Sequence, residues 1–495
     1  KLGATDYLFI ILFNNNIYIL KMTKKVNIHW FRNDLRLDDN PSLTKATENS
    51  ELIPIYIFDE NATIDFNQGE ASITWLYESL KLLNKSLENR LLIFKGDPLK
   101  ILKELKNNNN VSGVYWNRNY APWEIKRDTV IKQEIKKTGI ECETFNGNLL
   151  WEPWEILKKD GTPYKVFTPF YRKGCLASSP PRSPLTKPPK INFKQDVVKN
   201  NEFNIEKTNA NNWQKSILSH ALIGEKKAFE RLEFFIKNGL KNYKDGRNFP
   251  SQDYVSKLAP NLHFGEISPN QIWHTVSKLK NNENTDHFLS ELGWREFSNH
   301  LIYHFPHIIS ENLQKKFNNF PWLNDENVLI KWQKGMTGIP FVDAGMRELW
   351  QTGSMHNRLR MVVGSFLVKN LLIDWKYGAK WFWNCLFDAD IANNTAGWQW
   401  IAGCGADAAP YFRVFNPVTQ SEKFDKLGTY IKKYVPELIN LDHKFLHCPW
   451  EAPGSVLSNA GIKLGKTYPY PIVDLKISRL KALEAFNTLK SNKRI

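Results

Sequence analysis

Hydrophobic and polar positions follow one period in the first third of the chain and another in the rest. From Lys24 to about residue 150, short apolar runs rich in Val, Ile and aromatic residues alternate with amphipathic stretches. The apolar runs are KVNIHWF, LIPIYIF, LLIFKG and GVYWNRNY, and the amphipathic stretches include ASITWLYESLKLLNKSL and WEIKRDTVIKQEIKK. Strands and helices that alternate at this spacing predict a doubly wound parallel sheet with helices on both faces.

The second period is helical and follows a linker. LASSPPRSPLTKPPK, at 176–190, is too rich in Pro and Ser to continue a helix or strand. Beyond about residue 215 helical spacing prevails, as in LLIDWKYGAKWFWNCLF and ISRLKALEAFNTLK. We therefore predict an α/β domain at 22–150, a linker at 151–215 and a mostly α-helical domain at 216–495.

Targeting and redox signals are few. Residues 1–21 contain two apolar runs broken by three asparagines, too interrupted to span a bilayer, and we interpret them as an upstream, non-native extension before Met22. The five cysteines are scattered without a CxxC pair, which predicts reduced thiols and neither a disulfide framework nor a metal site. We expect a cytoplasmic monomer that does not associate with membranes.

Composition points to a polyanionic partner and a flat ligand. Lys and Arg exceed Asp and Glu by 67 − 51 = 16, which favours nucleic acid, although a generally cationic surface would give the same count. Eighteen tryptophans suggest aromatic packing or stacking. No GxGxxG or GxxxxGK[ST] follows a predicted strand, and GCGADA (Gly403–Ala408) is rejected as a dinucleotide fingerprint because no strand precedes it.

TGSMHNRLRMVVGSFLVKNLLIDW, at 352–375, joins a polar half to an apolar half. Spacings of three and four residues predict one helical stripe, formed by Asn357, Met361, Gly364, Val368, Leu371 and Trp375. A continuous helix would place Trp375 about 27 Å from Asn357. Arg360 is expected to pair with Asp388, because a buried guanidinium needs a carboxylate. Polar clusters and tryptophans in an apolar domain predict a pocket for a large, flat ligand with polar edges.

Seven motifs, in the same order along the chain, resemble the photolyase/cryptochrome family. The resemblance covers nearly the whole chain, from residue 25 to 480. The motifs are FRNDLRLDDNPSL, YKVFTPFYR, LHFGEISP, ELGWREF, MHNRLRM, DADIANNTAGWQW and APYFRVFNP. The resemblance implies an α/β domain followed by a helical domain that binds FAD, with UV-damaged DNA as the partner.

The resemblance also implies which residues bind FAD, with Asn394 beside flavin N5. They are Tyr243, Val255, Ser256, Lys257, Leu258, Ala259, Arg295, Arg360, Asp388, Asp390 and Asn394. VSKLA replaces a Thr-Ser-Arg-Leu-Ser type of segment and lacks two of its hydroxyls, so Ser256, Lys257 and backbone N–H groups are expected to hold the phosphates. Trp398, Trp375 and Trp322 match the family's electron relay, although each alone would be interpreted as core packing.

The lesion pocket implied by the resemblance distinguishes members of the family. Asn357 and Met361 occupy the positions of a histidine pair in the (6-4) branch, and neither side chain titrates near neutral pH. Glu291 would hydrogen-bond the flipped bases with Asn357, while Trp294 and Trp400 form flat walls. His356, off that helical face, is interpreted as structural. The implied phosphate contacts are Arg247, Arg358 and Arg413.

The sequence therefore predicts a light-driven cyclobutane pyrimidine dimer photolyase, resembling class I. The alternative is a blue-light photoreceptor of the cryptochrome type. Such receptors usually carry a long tail, whereas this chain ends about 20 residues beyond YPYPIVD, and plant-type receptors tend to have an acid where Asn394 stands. The identity of a second, antenna chromophore is not decided by the sequence. Glu124 matches a folate-contacting residue of the family, but Trp123 and Ala121 differ from the residues common in folate-binding members, so methenyl-folate, deazaflavin or no chromophore is compatible with the sequence.

Overall fold

The computed structural model of the chain describes residues 8–13, 16–21, 24–60, 68–207, 210–408, 410–411 and 413–491. Within the predicted extension, strands β1 (Leu8–Phe13) and β2 (Asn16–Lys21) pair antiparallel as a separate two-stranded sheet. The extension's other residues and Met22 lie outside the described residues.

A five-stranded parallel sheet forms the first domain. Its strands are β3 (Lys25–Phe31), β4 (Ser50–Asp59), β5 (Leu92–Gly96), β6 (Val111–Asn117) and β7 (Glu141–Phe145). Their order in the sheet is β5-β4-β3-β6-β7, and every neighbouring pair is parallel. The helices that connect them are α1 (Pro41–Ala46), α2 (Glu70–Ser86), α3 (Pro98–Asn109) and α4 (Pro122–Lys136).

Both faces of this sheet are buried. Successive side chains of a strand point to opposite faces, so Phe31 packs with Leu43 of α1 and Trp75 of α2, whereas Trp30 packs with Leu102 of α3 and Ile131 of α4. The predicted doubly wound sheet is confirmed. Strand β7, a short polar edge strand, was not predicted from the sequence.

The rest of the described chain is mostly helical, as predicted. Its α-helices are α5 (Phe167–Pro169), α6 (Asn212–Leu218), α7 (Glu225–Asn238), α8 (Tyr243–Gly246), α9 (Ala259–His263), α10 (Pro269–Ser277), α11 (Glu283–His304), α12 (Glu326–Gln333), α13 (Pro340–Thr352), α14 (Asn357–Ser365), α15 (Trp375–Cys385), α16 (Ile391–Ala402), α17 (Pro417–Phe424), α18 (Thr429–Tyr434), α19 (His443–Leu446), α20 (Gly454–Asn459) and α21 (Leu475–Ser491). Short 3₁₀ turns and two π turns, Phe170–Gly174 and Phe366–Asn370, complete it. Among the helices described, none is long and apolar enough to cross a membrane.

The prediction of one helix from Asn357 to Trp375 is wrong. Helix α14 ends at Ser365, a π turn follows, and Leu372 has a φ of 51°, a left-handed conformation that no α-helix accommodates. Asp374 then caps a new helix, because its side chain accepts the N–H of Lys376 at 3.1 Å. The predicted distance of about 27 Å between Asn357 and Trp375 assumed one continuous helix, and it does not apply because α14 ends at Ser365.

The predicted linker packs against both domains. Trp151, Phe170 and Cys175 belong to the core around α11, whereas Phe193 packs against the sheet. Buried Asp39 accepts hydrogen bonds from the side chains of Arg182 and Ser268, so one carboxylate joins the first domain, the linker and the second domain. The domain boundaries themselves stay a prediction.

Candidate active site

A cavity of about 530 Å³ opens among α8, α9, α11, α14 and α16. It lies within the range of about 300–1,000 Å³ that is usual for cofactor and ligand sites. Predicted site residues from five separate stretches of the chain line it: Tyr243, Arg247, Ser256, Leu258, Ala259, Glu291, Trp294, Arg295, Asn357, Arg360, Met361, Asp388, Asp390, Asn394, Trp398 and Trp400. The fold therefore brings most of the predicted set together. The predicted residues that do not line the cavity are Val255, Lys257, Trp322, Trp375, Arg358 and Arg413.

Arg360 and Asp388 form the expected ion pair. Nη2 of Arg360 donates to both carboxylate oxygens of Asp388, at 2.9 and 3.0 Å, and Nε donates to the carbonyl of Met355 at 2.9 Å. A hydrogen-bonded guanidinium is held in one orientation, so the cavity has a fixed cation–anion pair on its wall.

Asp390 is a second fixed carboxylate, and it caps α16. Its side chain accepts the N–H of Asn393 at 2.8 Å. Burial acts to raise its pKa, but His263 and that N–H bond outweigh burial, and the net pKa is lowered. Nδ1 of His263 lies 3.9 Å from the carboxylate and has no hydrogen-bond partner among the described residues, so it can serve a bound molecule. His263 lies within the motif LHFGEISP but was not among the predicted site residues.

Helix α16 presents a flat, polar-edged face to the cavity. Nδ2 of Asn394 donates to the carbonyl of Ala379 at 3.0 Å, which leaves its Oδ1 as an acceptor. A Cβ added to Gly397 would meet no atom within 4 Å, although this glycine lies inside the helix and lines the cavity. The open space over Gly397 fits a planar ring lying on the helix, as FAD would supply.

The Val255–Ala259 segment has the backbone of an anion site. Arg231 holds two of its carbonyls, those of Val255 and Ser256, at 2.6 and 2.7 Å. Lys257 has a φ of 56° and Leu258 one of −90°, and consecutive residues of opposite hand can direct neighbouring N–H groups toward one anion. The ammonium of Lys257 pairs with Asp253 at 2.9 Å and does not line the cavity. Arg231 could not be predicted as part of this site, because no pattern within α7 indicates that its side chain binds backbone carbonyls about 25 residues further along the chain.

Aromatic rings form one wall of the cavity. Trp294 stacks on Phe167 with ring centres 3.8 Å apart and planes 11° apart. Phe167 comes from the predicted linker, and its N–H donates to Asp407 at 3.1 Å. The stack fixes the plane of the Trp294 ring, and no local sequence pattern predicts this contact.

Arg247 and Glu291 pair with each other at the same cavity. Nη1 of Arg247 donates to Glu291 Oε1 and lies 2.9 Å from Nε2 of His287. Its guanidinium also lies over the ring of Tyr243, 5.4 Å from the centroid. Burial and the Arg247 charge lower the pKa of His287, which favours its neutral form.

Asn357 and Met361 lie at the N-terminal end of α14, one turn apart, and both line the cavity. His356 precedes them, and its Nδ1 accepts the N–H of Arg358 at 3.2 Å, which caps the helix. Burial, followed by the charge of Arg358, lowers the pKa of His356 to about 3, so its ring is neutral. The structural role predicted for this histidine is confirmed.

The three tryptophans predicted to form the relay lie on connected segments, two of them in contact with or part of α15. The ring of Trp398 packs on Gly378, where a Cβ would approach to 2.2 Å, so only glycine permits this contact. Trp375 begins the same helix one turn earlier, and its Nε1 donates to Asn312 at 2.9 Å. The Trp322 segment is joined to the residues before Trp375 by the bond from Leu323 N to the Leu372 carbonyl, 2.8 Å. Trp398 and Trp375 are buried, whereas Trp322 is partly exposed.

The other two predicted DNA-contacting arginines lie outside the cavity. Arg358 donates to the side chain of Asn248 and lies over the ring of Phe424, 4.2 Å from its centroid. The side chain of Arg413 is exposed, in a segment between α16 and α17. Both remain predicted contacts.

A second, smaller cavity lies where the strand order reverses, between β3 and β6. Its volume is about 60 Å³, and its lining includes Asn33, Asn119 and Glu124. The cavity also shares His263, Arg295 and Asp390 with the large one. Such a reversal is the usual ligand position in doubly wound sheets, but this volume is small for a pteridine.

A doubly wound sheet joined to a mostly helical part, with a cavity lined by an ion pair, polar side chains and aromatic rings, is typical of a protein that binds a nucleotide cofactor. Comparison with known families refines this description. Residues 27–190 match the family model described as DNA photolyase, and residues 288–488 match the FAD binding domain of DNA photolyase. The chain belongs to the DNA photolyase family and has its FAD-binding domain.

Individual relatives span nearly the whole chain. It is 44% identical to a deoxyribodipyrimidine photo-lyase of Agrobacterium fabrum over 475 residues, 94% of this chain and 98% of the relative. It is 35% identical to Cryptochrome-1 of Arabidopsis thaliana over 480 residues, 94% of this chain and 70% of that relative. The crystal structure of a bacterial class III photolyase from Agrobacterium tumefaciens superimposes with a TM-score of 0.91 at 42% identity, covering 95% of this chain and 98% of the other.

Proposed function

We propose that this chain is a light-driven DNA repair enzyme that splits cyclobutane pyrimidine dimers in UV-damaged DNA. One observation carries the proposal: a single cavity contains both the predicted flavin-binding residues and the predicted lesion-binding residues. Electron transfer to a lesion needs the two ligands side by side, and the residues predicted to contact each of them line the same cavity. The relatives named as photo-lyases support the same activity. The finer resemblance to class I stays a prediction, since the Agrobacterium structure is described as class III.

FAD fits the flavin side of the cavity. When bound and reduced, it supplies the electron that light transfers to the lesion. Arg360 and Asp388 would hold polar edges of the ring system, and Oδ1 of Asn394 would accept a hydrogen bond from it. Gly397 leaves room for the flat ring, and the Ser256–Leu258 backbone would bind the pyrophosphate. His263 Nδ1, which lies 3.9 Å from Asp390 but makes no hydrogen bond among the described residues, would be available to bond the cofactor.

The lesion side of the cavity suits two flipped, neutral bases. Trp294 and Trp400 offer flat walls, and Asn357 can donate and accept hydrogen bonds at a pyrimidine edge. Met361 packs softly against an apolar ring and brings no proton. Splitting a cyclobutane dimer requires an electron in and an electron back, without an obligatory general acid, which agrees with the neutral state of His356.

Glu291 must change partner for this reaction. It is paired with Arg247 in the protein alone. We propose that Arg247 turns to a DNA phosphate and that Glu291 is thereby released to accept a hydrogen bond from the lesion. Exchange of one charged partner for another avoids leaving either ion buried and alone.

The test is repair by the purified, flavin-reduced protein. A thymine-dimer oligonucleotide should be restored to monomer thymines under blue light and stay unchanged in the dark. A (6-4) photoproduct substrate is the matched control and should not be repaired, because Asn357 and Met361 occupy the positions where that branch has its histidine pair. Fully reduced protein that binds the dimer but leaves it intact under light would refute the proposal.

The second candidate is a blue-light receptor without repair activity, favoured by 35% identity to plant cryptochromes. Asn394 argues against a receptor function, because an amide beside flavin N5 does not readily donate a proton to the flavin. The repair assay discriminates the two candidates, since a receptor would change its flavin state under light without altering DNA.

Three finer expectations remain proposals. The antenna chromophore is either methenyl-folate or deazaflavin if one binds, and the absorbance of material released from the purified protein identifies it. Cytoplasmic location is supported by the five cysteines, all of which are free thiols. A monomer is the proposed state, and light scattering of the purified protein tests it.

A further inference from the structure

Lys369 is a lysine in the protein core. Its side chain is 0% exposed, and it lies in the π turn Phe366–Asn370 that follows α14. Within the described residues no carboxylate acts on its ammonium group. A buried charge without an acidic partner is costly, and Met would fill the same space without that cost. The lysine therefore calls for an explanation beyond packing.

The ammonium holds one backbone segment. Nζ of Lys369 donates to the carbonyl of Arg413 at 2.9 Å and lies 5.5 Å from the ring centroid of Tyr411. One turn earlier on the same helical face, the buried Oγ of Ser365 accepts the N–H of Phe415 at 3.3 Å. Two side chains four residues apart thus hold both ends of the Arg413–Phe415 backbone.

The segment they hold is the one that presents Arg413. The Arg413 side chain is exposed, while its backbone N–H closes a turn on the carbonyl of Pro410 at 2.8 Å. Helix α14 carries Asn357 and Arg358 at its N-terminal end and Ser365 at its C-terminal end, so one helix connects the proposed lesion pocket to this turn.

We propose that Lys369 and Ser365 are positioning residues that fix the Arg413–Phe415 backbone so that the Arg413 guanidinium meets a DNA phosphate. This inference rests on the proposed function, in which DNA is the ligand. It adds that the placement of Arg413 depends on two side chains that touch no DNA themselves.

The charge of Lys369 provides a second signature. Burial, and then repulsion by Arg413, lowers the pKa of Lys369 to about 8. Arg413 and the phenol of Tyr411 are the charged or titratable groups that face the ammonium within the described residues. A phosphate on Arg413 relieves that repulsion, so DNA binding favours the protonated lysine. DNA affinity should then fall as pH rises through about 8.

The experiment measures DNA affinity against salt for wild type, Lys369→Met, Arg413→Ala and the double variant. Arg413→Ala should reduce the slope of log K against log salt by about 0.9, the value of one phosphate contact. Lys369→Met should weaken binding roughly tenfold, as loss of a charge-assisted hydrogen bond does, and reduce the slope in the same direction. The double variant should match Arg413→Ala alone, and the fall near pH 8 should disappear in Lys369→Met.

Controls separate this role from general damage or net charge. Lys476→Met removes the same charge from an exposed site on α21 and should bind DNA like wild type. If Lys369→Met fails to fold by circular dichroism, Ser365→Ala replaces it, with a weakening that vanishes in the Arg413→Ala background.

Two results overturn the inference while the proposed function stands. The first is a DNA affinity of Lys369→Met equal to that of the wild type. The second is a loss of DNA affinity in the double variant that equals the product of the losses in the two single variants. Wild-type binding by Arg413→Ala removes that arginine from the DNA contacts, and the inference falls with it. Light-driven repair is measured separately, so failure of the proposed function is distinguishable from both.

Discussion

Gly397→Ala should strengthen the protein without cofactor and weaken its hold on FAD. Gly397 lies inside α16, where glycine is less favourable than alanine by roughly 0.5–1 kcal/mol. An added Cβ would meet no atom of the protein within 4 Å, so it creates no clash of its own. The apoprotein should therefore gain about 0.5–1 kcal/mol in the free energy of unfolding.

The same methyl group projects into the space that a flavin ring would occupy. Forcing one extra carbon into a packed contact costs typically about 1–3 kcal/mol. At about 1.4 kcal/mol per factor of ten, the FAD dissociation constant should rise roughly 5- to 150-fold. Opposite signs for stability and affinity are unusual for one methyl group, and only a ligand lying over this helix produces both.

Two titrations provide the assay. Urea unfolding of the apoprotein gives the stability change, and quenching of flavin fluorescence gives the dissociation constant. Gly454→Ala is the matched control, because its added Cβ also meets nothing within 4 Å but lies in α20, remote from the cavity lining. An unchanged FAD affinity in Gly397→Ala would show that the ring does not rest on α16, and the assignment of the flavin side would be wrong.

Three further predictions address the relay, the lesion wall and pH. Trp322→Phe should block photoreduction of oxidised FAD, while chemically reduced protein keeps its repair yield; loss of repair in pre-reduced protein would contradict the role. Trp294→Ala removes a wall worth about 1–3 kcal/mol of base stacking and should lower dimer affinity but spare photoreduction; normal dimer binding would contradict it. Burial raises the pKa of Glu266, which accepts hydrogen bonds from Trp75 and Asn261, from 4.5 to about 7. The folded state therefore binds more protons than the unfolded state between these values, so stability falls as pH rises through about 7, by at most about 3 kcal/mol. Glu266→Gln should flatten that fall in thermal melts between pH 5 and 8, and an unchanged profile would refute the assignment.

The strands and the sheet class could be predicted because their signal is local. KVNIHWF corresponds residue for residue to β3, and every residue after Lys25 is buried, as expected for a central strand covered on both faces. ECETF gave no such signal, because an edge strand buries less and tolerates charge. Its assignment needs the neighbouring strand β6.

Site residues could be predicted where they belong to a family motif or where a buried charge requires an opposite charge. The Arg360–Asp388 pair followed from the need of a guanidinium for a carboxylate. The end of α14 could not be predicted, because the apolar stripe continues through Leu371 although the backbone turns at Leu372. Periodicity reports which side chains are buried, and it does not report whether the helix beneath them is continuous. Supports that arise from tertiary contacts, such as Phe167 behind Trp294, lie beyond any local pattern.

The stack of Phe167 on Trp294 bears on how this protein can be divided. Phe167 precedes the predicted helical domain by about 50 residues, yet it stacks on Trp294, the ring that we propose faces the DNA lesion. Trp151, Phe170 and Cys175 fill the same core from the same stretch of chain. A fragment that starts at residue 216 would lack these side chains and expose the apolar surface they cover. The helical part therefore cannot be separated from the chain at the predicted domain boundary without loss of core contacts. Gene fusions, split reporters or domain exchanges would have to keep residues 150–177 together with the helices.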